Sequence, residues 1–193
     1  GTYYFLYSPV GNATAVAGVV QGNGTSTATA FSSSNARDFN LEGLGVLAAT
    51  VSATYSTKQS LSGSVSYAAG GSVAFSGTYD AAYEATPSLA ALAGTFTGQV
   101  ASSAGVENAT VTVSGSGAVS GAGTSGCSTT GSVTPRAQGN VFNISLSFGG
   151  APCLFANQTL SGIAYFNSTT KRLYAATPNA ARTDGVLFVG IKP

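Results

Sequence analysis

Apolar and polar residues alternate along most of this chain. Leu61, Gly63, Val65 and Tyr67 alternate with Ser62, Ser64 and Ser66. After Ala69-Gly70-Gly71, Val73, Phe75, Gly77 and Tyr79 alternate with Ser72, Ala74, Ser76 and Thr78. A period of two is the signature of a half-buried strand. This pair predicts a hairpin with one buried face and a hydroxyl-covered face toward water. The same pattern recurs in Ala109, Val111 and Val113, and most clearly in Phe142, Ile144, Leu146 and Phe148, which alternate with Asn143, Ser145 and Ser147.

Other runs complete the set. Residues 1–9, with Tyr3, Tyr4, Phe5, Leu6 and Tyr7, are apolar on both sides and predict a strand covered on both faces. Gly11-Asn12 turns the chain into a second run ending at Val20, and Gly22-Asn23-Gly24 into a third over 25–31. Residues 32–35 read as a loop, 37–43 carry Phe39 and Leu41 on one face, and Leu47, Val51 and Tyr55 mark a long strand. Residues 115–126 are glycine-rich and predict a short strand with a bulge or bend. Segments 128–134, 160–166, 172–176 and 185–191 follow. The last is apolar on both faces, as suits a strand that closes a barrel or lies centrally. Seven strands are expected before residue 80 and about eight after residue 94.

Between them lies the one helix signal. Thr86-Pro87 predicts an N-cap with proline at N1, Leu89 and Leu92 an apolar face, and Gly94 the C′ residue. About two turns are too short to stand alone, so this helix must dock as a plug or hinge. The predicted architecture is all-β. An N-terminal antiparallel lobe over 1–85 forms a sandwich or half-barrel. A short connecting helix spans 86–93, and a roughly eight-stranded, lipocalin-like barrel spans 94–193.

Composition changes this picture chiefly by exclusion. With 7% charged residues and a net charge of +1, nothing steers nucleic acid or an anionic membrane. The 44% hydrophobic content supplies a core that disordered chains lack. No apolar run approaches the roughly 18 residues of a transmembrane helix. There is no histidine, hence no Ser-His-Asp triad and no imidazole base, and the 6 carboxylates leave little for metal or paired-acid chemistry. The chain is therefore expected not to be an enzyme and to carry no cofactor and no metal. Asp80 and Glu84 read as charges around a helix start. Ser168-Thr169-Thr170-Lys171 matches S-x-x-K but falls in an expected hairpin turn without its companion motifs. Six N-x-S/T sequons, beginning at Asn12, Asn23, Asn108, Asn143, Asn157 and Asn167, are background for a chain so rich in Ser and Thr.

Cys127 and Cys153 are the only cysteines. In a Ser/Thr-rich, lysine-poor β chain they fit one disulfide in an exported protein; the alternative is two buried thiols. Lys171, Arg172, Arg182 and Asp184 form the one local charge cluster, read as a solvated loop or a barrel-mouth ion pair. Tyr3, Tyr4, Tyr7, Tyr165 and Tyr174 are candidate ligand-surface tyrosines, and Tyr165, Arg172, Tyr174 and Arg182 are the candidate mouth residues.

The segments VAFSGTYDAAYEATPSLAALAGTFTG, GCSTTGSVTPRAQGNVFNISLSFGGAPC and NAARTDGVLFVGIKP resemble a family of exported lipoproteins of Burkholderia and related proteobacteria. The resemblance covers residues 61–193 and is structural, with no catalytic residues to carry over. It implies two β lobes joined through the central pivot, and a Cys127–Cys153 disulfide. It also implies an outer-membrane or cell-surface location, alternatively the periplasm, with membrane association through a lipid anchor outside these residues. A looser likeness to lipocalin-type barrels sets Gly94-Thr95-Phe96 and Arg182 at a closed barrel end. The expected function is an exported surface binding module for a host or envelope macromolecule. The alternatives are a carrier of a small apolar ligand, a protease or lysozyme inhibitor on the second barrel, and a self-associating envelope protein.

Overall fold

The computed structural model describes residues 1–12 and 15–193 and divides the chain into two compact units, Gly1–Ala81 and Ala82–Pro193. The sequence run after Gly11-Asn12 and the sequon at Asn12 fall partly on Ala13 and Thr14, outside the described residues.

The first unit is one antiparallel sheet built from β1 (Thr2–Tyr7), β2 (Gly18–Asn23), β3 (Thr25–Ser26), β4 (Ala30–Asn40), β5 (Gly45–Ser56), β6 (Ser60–Tyr67) and β7 (Ser72–Thr78). The order is β1-β2-β4-β5-β6-β7, with β3 paired to β4. It is a half-barrel and not a sandwich: the sheet curls until Phe5 on one edge strand meets Phe75 on the other, ring centroids 5.2 Å apart, with no ladder joining β1 to β7. Val20, Ala36, Ala49, Val51 and Val65 fill the curl beneath Tyr3, Phe5, Tyr7, Phe31 and Phe75.

Three expectations for this unit change. The opening strand is not covered on both faces. It is an edge strand whose Leu6 is 39% exposed, because apolar residues on both sides of a strand do not by themselves supply a second layer. Residues 32–35 are not a loop but part of β4, where the register shifts between Ser33 and Ala36. Polar side chains hold that bulge: the Ser33 hydroxyl donates to the Asn23 carbonyl at 2.8 Å, and Asn23 N–H donates to Asn35 Oδ1 at 2.9 Å. The hairpin of β6 and β7 forms as its alternation predicts, yet β7 is an edge strand and its Val73 stays 57% exposed.

The second unit begins with a 3-10 turn, Ala81–Glu84 straddling its boundary, and the helix α1 (Leu89–Leu92). Then follow β8 (Gly94–Ser102), β9 (Gly105–Val113), β10 (Ala118–Gly123), β11 (Ser128–Pro135), β12 (Phe142–Phe148), β13 (Thr159–Asn167), β14 (Arg172–Pro178) and β15 (Gly185–Ile191). Each pairs with its sequence neighbour and β15 pairs with β8, giving a closed eight-stranded antiparallel barrel. Closure removes the strand edges that an open sheet leaves to pair with other chains. β15, apolar on both faces, is the closing strand.

β10 is regular, paired along its length on both sides, rather than bent. Its glycines face inward where neighbours already fill the space: a Cβ on Gly121 would lie 2.6 Å from Thr129 Oγ1. Gly98 and Gly162 do the same against backbone, 2.0 Å from the Val189 carbonyl oxygen and 1.9 Å from that of Ala176, so these strands coil closely over one another.

The helix is one turn rather than two, and its N-cap is Ser88, not Thr86; the Ser88 hydroxyl accepts from Ala91 N–H at 3.2 Å. Pro87 is buried one residue before the cap, the place from which an apolar residue staples a helix start. Gly94 follows the C-cap with φ +139°, open only to glycine without strain. Leu92 is wholly buried among Phe96, Phe166 and Leu173, with Leu89 packed against the same cluster, so α1 stops one end of the barrel.

Candidate functional site

The other barrel end is open. Inward positions alternate along each strand, and near this end they leave a cup of about 280 Å³. Val100 and Val186 line it with Ala109, Val111, Leu146, Phe148 and Phe188, while Phe155 and Leu154 enter from the loop between β12 and β13. Leu154 is 50% exposed and Val106, across the rim, 57% exposed. Ser102, Thr129, Ser125 and Glu107 are the polar side chains in the lining.

The rim is tied down at three places. Cys127, beyond the turn of β10 and β11, forms a disulfide with Cys153 in the loop between β12 and β13, Cα atoms 4.6 Å apart. Cys153 and Phe155 are buried with Phe148 and Leu160, which seats that loop on the barrel. The second tie is Asp184, before β15: Oδ1 accepts from Ser103 N–H at 3.2 Å and from Gly185 N–H at 2.7 Å, and Oδ2 accepts from the Ser103 hydroxyl. The third is Glu107 on β9. Its Oε2 accepts from Ser125 N–H at 2.6 Å and Thr124 Oγ1 at 3.3 Å, and its Oε1 from Ser125 Oγ at 3.0 Å. The Ser125 backbone bond, with the two hydroxyls, holds the Glu107 carboxyl below the usual carboxylate range. The carboxylate lies over Gly123, where a Cβ would come within 2.6 Å of it.

The sequence-predicted residues are dispersed. Tyr165 and Tyr174 are cross-strand partners stacked at 6.2 Å, on the outward side because Ala164, Phe166, Leu173 and Ala175 beside them face the core. Arg172 begins β14 and Arg182 lies in the loop beyond its far end, so seven residues of strand, roughly 20 Å, separate them. The charge cluster read in sequence is therefore split between the two ends of the barrel. Arg182 shares its loop with Asp184 at the open end but does not line the cup, and neither do the other three. The cation that packs on the plug and the aromatic rings of the closed end is Lys192, not Arg182. Lys192 Nζ donates to the Ala91 and Ala93 carbonyls at 2.5 and 2.8 Å and sits 4.6 Å from the Phe166 ring centre and 5.5 Å from that of Phe96. Ser168-Thr169-Thr170-Lys171 is a hairpin turn in which Asn167 Oδ1 accepts from Thr169 and Thr170 N–H at 3.0 Å.

Sequence reasoning anticipates a ligand in the second barrel but misses Glu107 and the residues that line the cup. Glu107 precedes the alternation that starts at Ala109, and its usable signal is the inward phase it shares with Ala109, Val111 and Val113. Among the described residues, no three of His, Cys, Asp and Glu come together as a metal would require. Comparison with protein-family models, with curated proteins and with solved structures finds no match.

Proposed function

We propose that this chain is an exported binding module and that its barrel holds a small apolar molecule in the open cup. The observation that carries the reading is the cup itself: an apolar interior fixed by one disulfide and two carboxylate clamps, at the end of a barrel whose other end is plugged. Small-molecule sites are concave, largely apolar and preformed, with a few placed polar groups, and mouths of β-barrels are among their usual places. At about 280 Å³ the cup suits a compact ligand rather than a long acyl chain.

Export is supported by the disulfide, since such bonds persist in oxidising compartments. The outer face of the barrel favours water over lipid. Thr95, Thr112, Ser120, Thr130, Ser147 and Thr159 are successive cross-strand partners in one outward hydroxyl row, whereas a spanning barrel presents an apolar band. A second reading, docking of a host or envelope macromolecule on the same rim, is favoured by the exposure of Leu154 and Val106 beside the cup.

The test is fluorescence titration with 1-aminoanthracene, a compact apolar dye. Saturable one-to-one binding is expected, lost in Ala109→Phe, which fills the cup, while the circular dichroism spectrum stays that of the parent. Absence of saturable binding to the parent chain overturns the small-ligand reading.

A further inference from the structure

We infer that the cup selects a ligand with an apolar body and a cationic, ammonium-type head, the head resting at Glu107. The inference rests on the small-ligand reading above and adds the ligand's charge. Among the described residues, Glu107 is the one charged side chain that lines the cup, and no Lys or Arg lines it. Its hydrogen-bond partners, Ser125 and Thr124, are neutral, so among the described residues no opposite charge meets it within the apolar cup. Such a charge is costly to cover with an apolar ligand alone and favourable to cover with an opposite charge.

Its position is also preset. Three hydrogen bonds from the turn of β10 and β11 use three of a carboxylate's roughly four acceptor sites and hold the side chain over Gly123, where no Cβ intrudes. A fixed carboxylate binds a cation without the ordering cost of a mobile one. The rest of the lining, from Val100 to Phe188, offers apolar contact, with only Ser102, Ser125 and Thr129 as hydroxyls. A carboxylate-headed ligand meets repulsion at the same point. A quaternary ammonium needs no hydrogen-bond acceptor, so it can use the charge of Glu107 without displacing the turn.

The probes are hexyltrimethylammonium, 1-hexanol and hexanoate, each displacing 1-aminoanthracene from the full chain at neutral pH. The expected order is ammonium, alcohol, carboxylate, with about three- to tenfold between the first two, the range of a partly solvated ion pair. Raising the salt concentration narrows the gap between ammonium and alcohol by screening. In Glu107→Gln the ratio of the two affinities falls to about one, whatever the absolute affinities become. Hexanoate binding as tightly as the ammonium, or an ammonium-to-alcohol ratio unmoved by salt and by Glu107→Gln, overturns the inference while the cup stands. If the dye binds but none of the three displaces it, this inference falls while the small-ligand reading stands; if the dye itself does not bind saturably, both fall.

Discussion

Asp38 shows how much a single residue position can hide. It lies in β4 at 1% exposure, cross-strand to Val20 and Leu47, on the concave face of the half-barrel. The Tyr7 hydroxyl donates to its Oδ1 and the Tyr67 hydroxyl to its Oδ2, both at 2.8 Å, and Asn40 Nδ2 donates to the Tyr7 oxygen at 3.2 Å. These bonds tie β1 to β6 across the interior of a sheet whose edges share no ladder. Burial raises the Asp38 carboxyl above its ordinary value, against the pull of both tyrosine hydroxyls, and the Tyr67 phenol is pushed up to about 12 by burial and by Asp38. A carboxyl whose folded value exceeds its unfolded value contributes stability at pH below the unfolded value, and loses it as pH rises through the folded value. Asp38→Asn is therefore expected to match the parent in acid and to gain on it as pH rises. Thermal unfolding of both chains across pH checks this, and a constant difference would contradict it. Asp38→Ala, which deprives two phenols of their acceptor, is expected to cost about 1–3 kcal/mol.

At the scale of elements, the plug is the informative case. The spacing of Leu89 and Leu92 and the glycine at position 94 announce a short helix, and the helix is there. The sequence points to Thr86 as the cap, two residues before the Ser88 cap of the structure, because hydroxyls flank Pro87 on both sides and only docking decides which one faces the first turn. What the plug docks on is also nonlocal. Lys192, about a hundred residues further along the chain, accommodates the helix's last carbonyls and covers Phe96 and Phe166. A cation near a helix C-terminus is stabilising, and stacking on rings adds to it. Lys192→Met keeps the apolar stem and removes the charge. It is expected to lower the unfolding free energy of the barrel unit by about 1–3 kcal/mol, read by denaturant titration followed by circular dichroism.

For the whole molecule, the disulfide is the one covalent crosslink, and it lies within the barrel unit. It spans 26 residues, for which chain entropy gives about 3–4 kcal/mol of stabilisation. Reduction is expected to lower the stability of the barrel unit by about that amount and to raise amide exchange in residues 149–158, the loop that supplies Pro152, Leu154 and Phe155 to the cup. Hydrogen exchange with mass spectrometry, with and without reductant, measures both. Protection of that loop unchanged on reduction would show that Phe155 packing alone seats it.

The sequence by itself determined the strand class, the strands of the second unit and the existence of the plug, whereas in the first unit the expected runs 25–31 and 37–43 are redrawn as the short β3 and one long β4. Alternation of period two and the turn glycines are local properties, written in neighbouring residues. The same holds for the outward hydroxyl faces, since the pleat alone sends every second residue outward. Tertiary structure decided the rest. Curvature separates the half-barrel from the closed barrel: β1 and β7 curl together without pairing, whereas β15 meets β8. Curvature also decides which apolar strand is covered, and so the apolar β15 closes a barrel while the equally apolar β1 lies at an edge. The candidate site depended on it most. Arg172 and Arg182 are ten residues apart in sequence yet belong to opposite barrel ends, while Glu107, Cys127 and Phe155 come from three separate strands and loops to one rim. Proximity in a barrel follows register and shear around the ring, and neither is a property of any one stretch of chain.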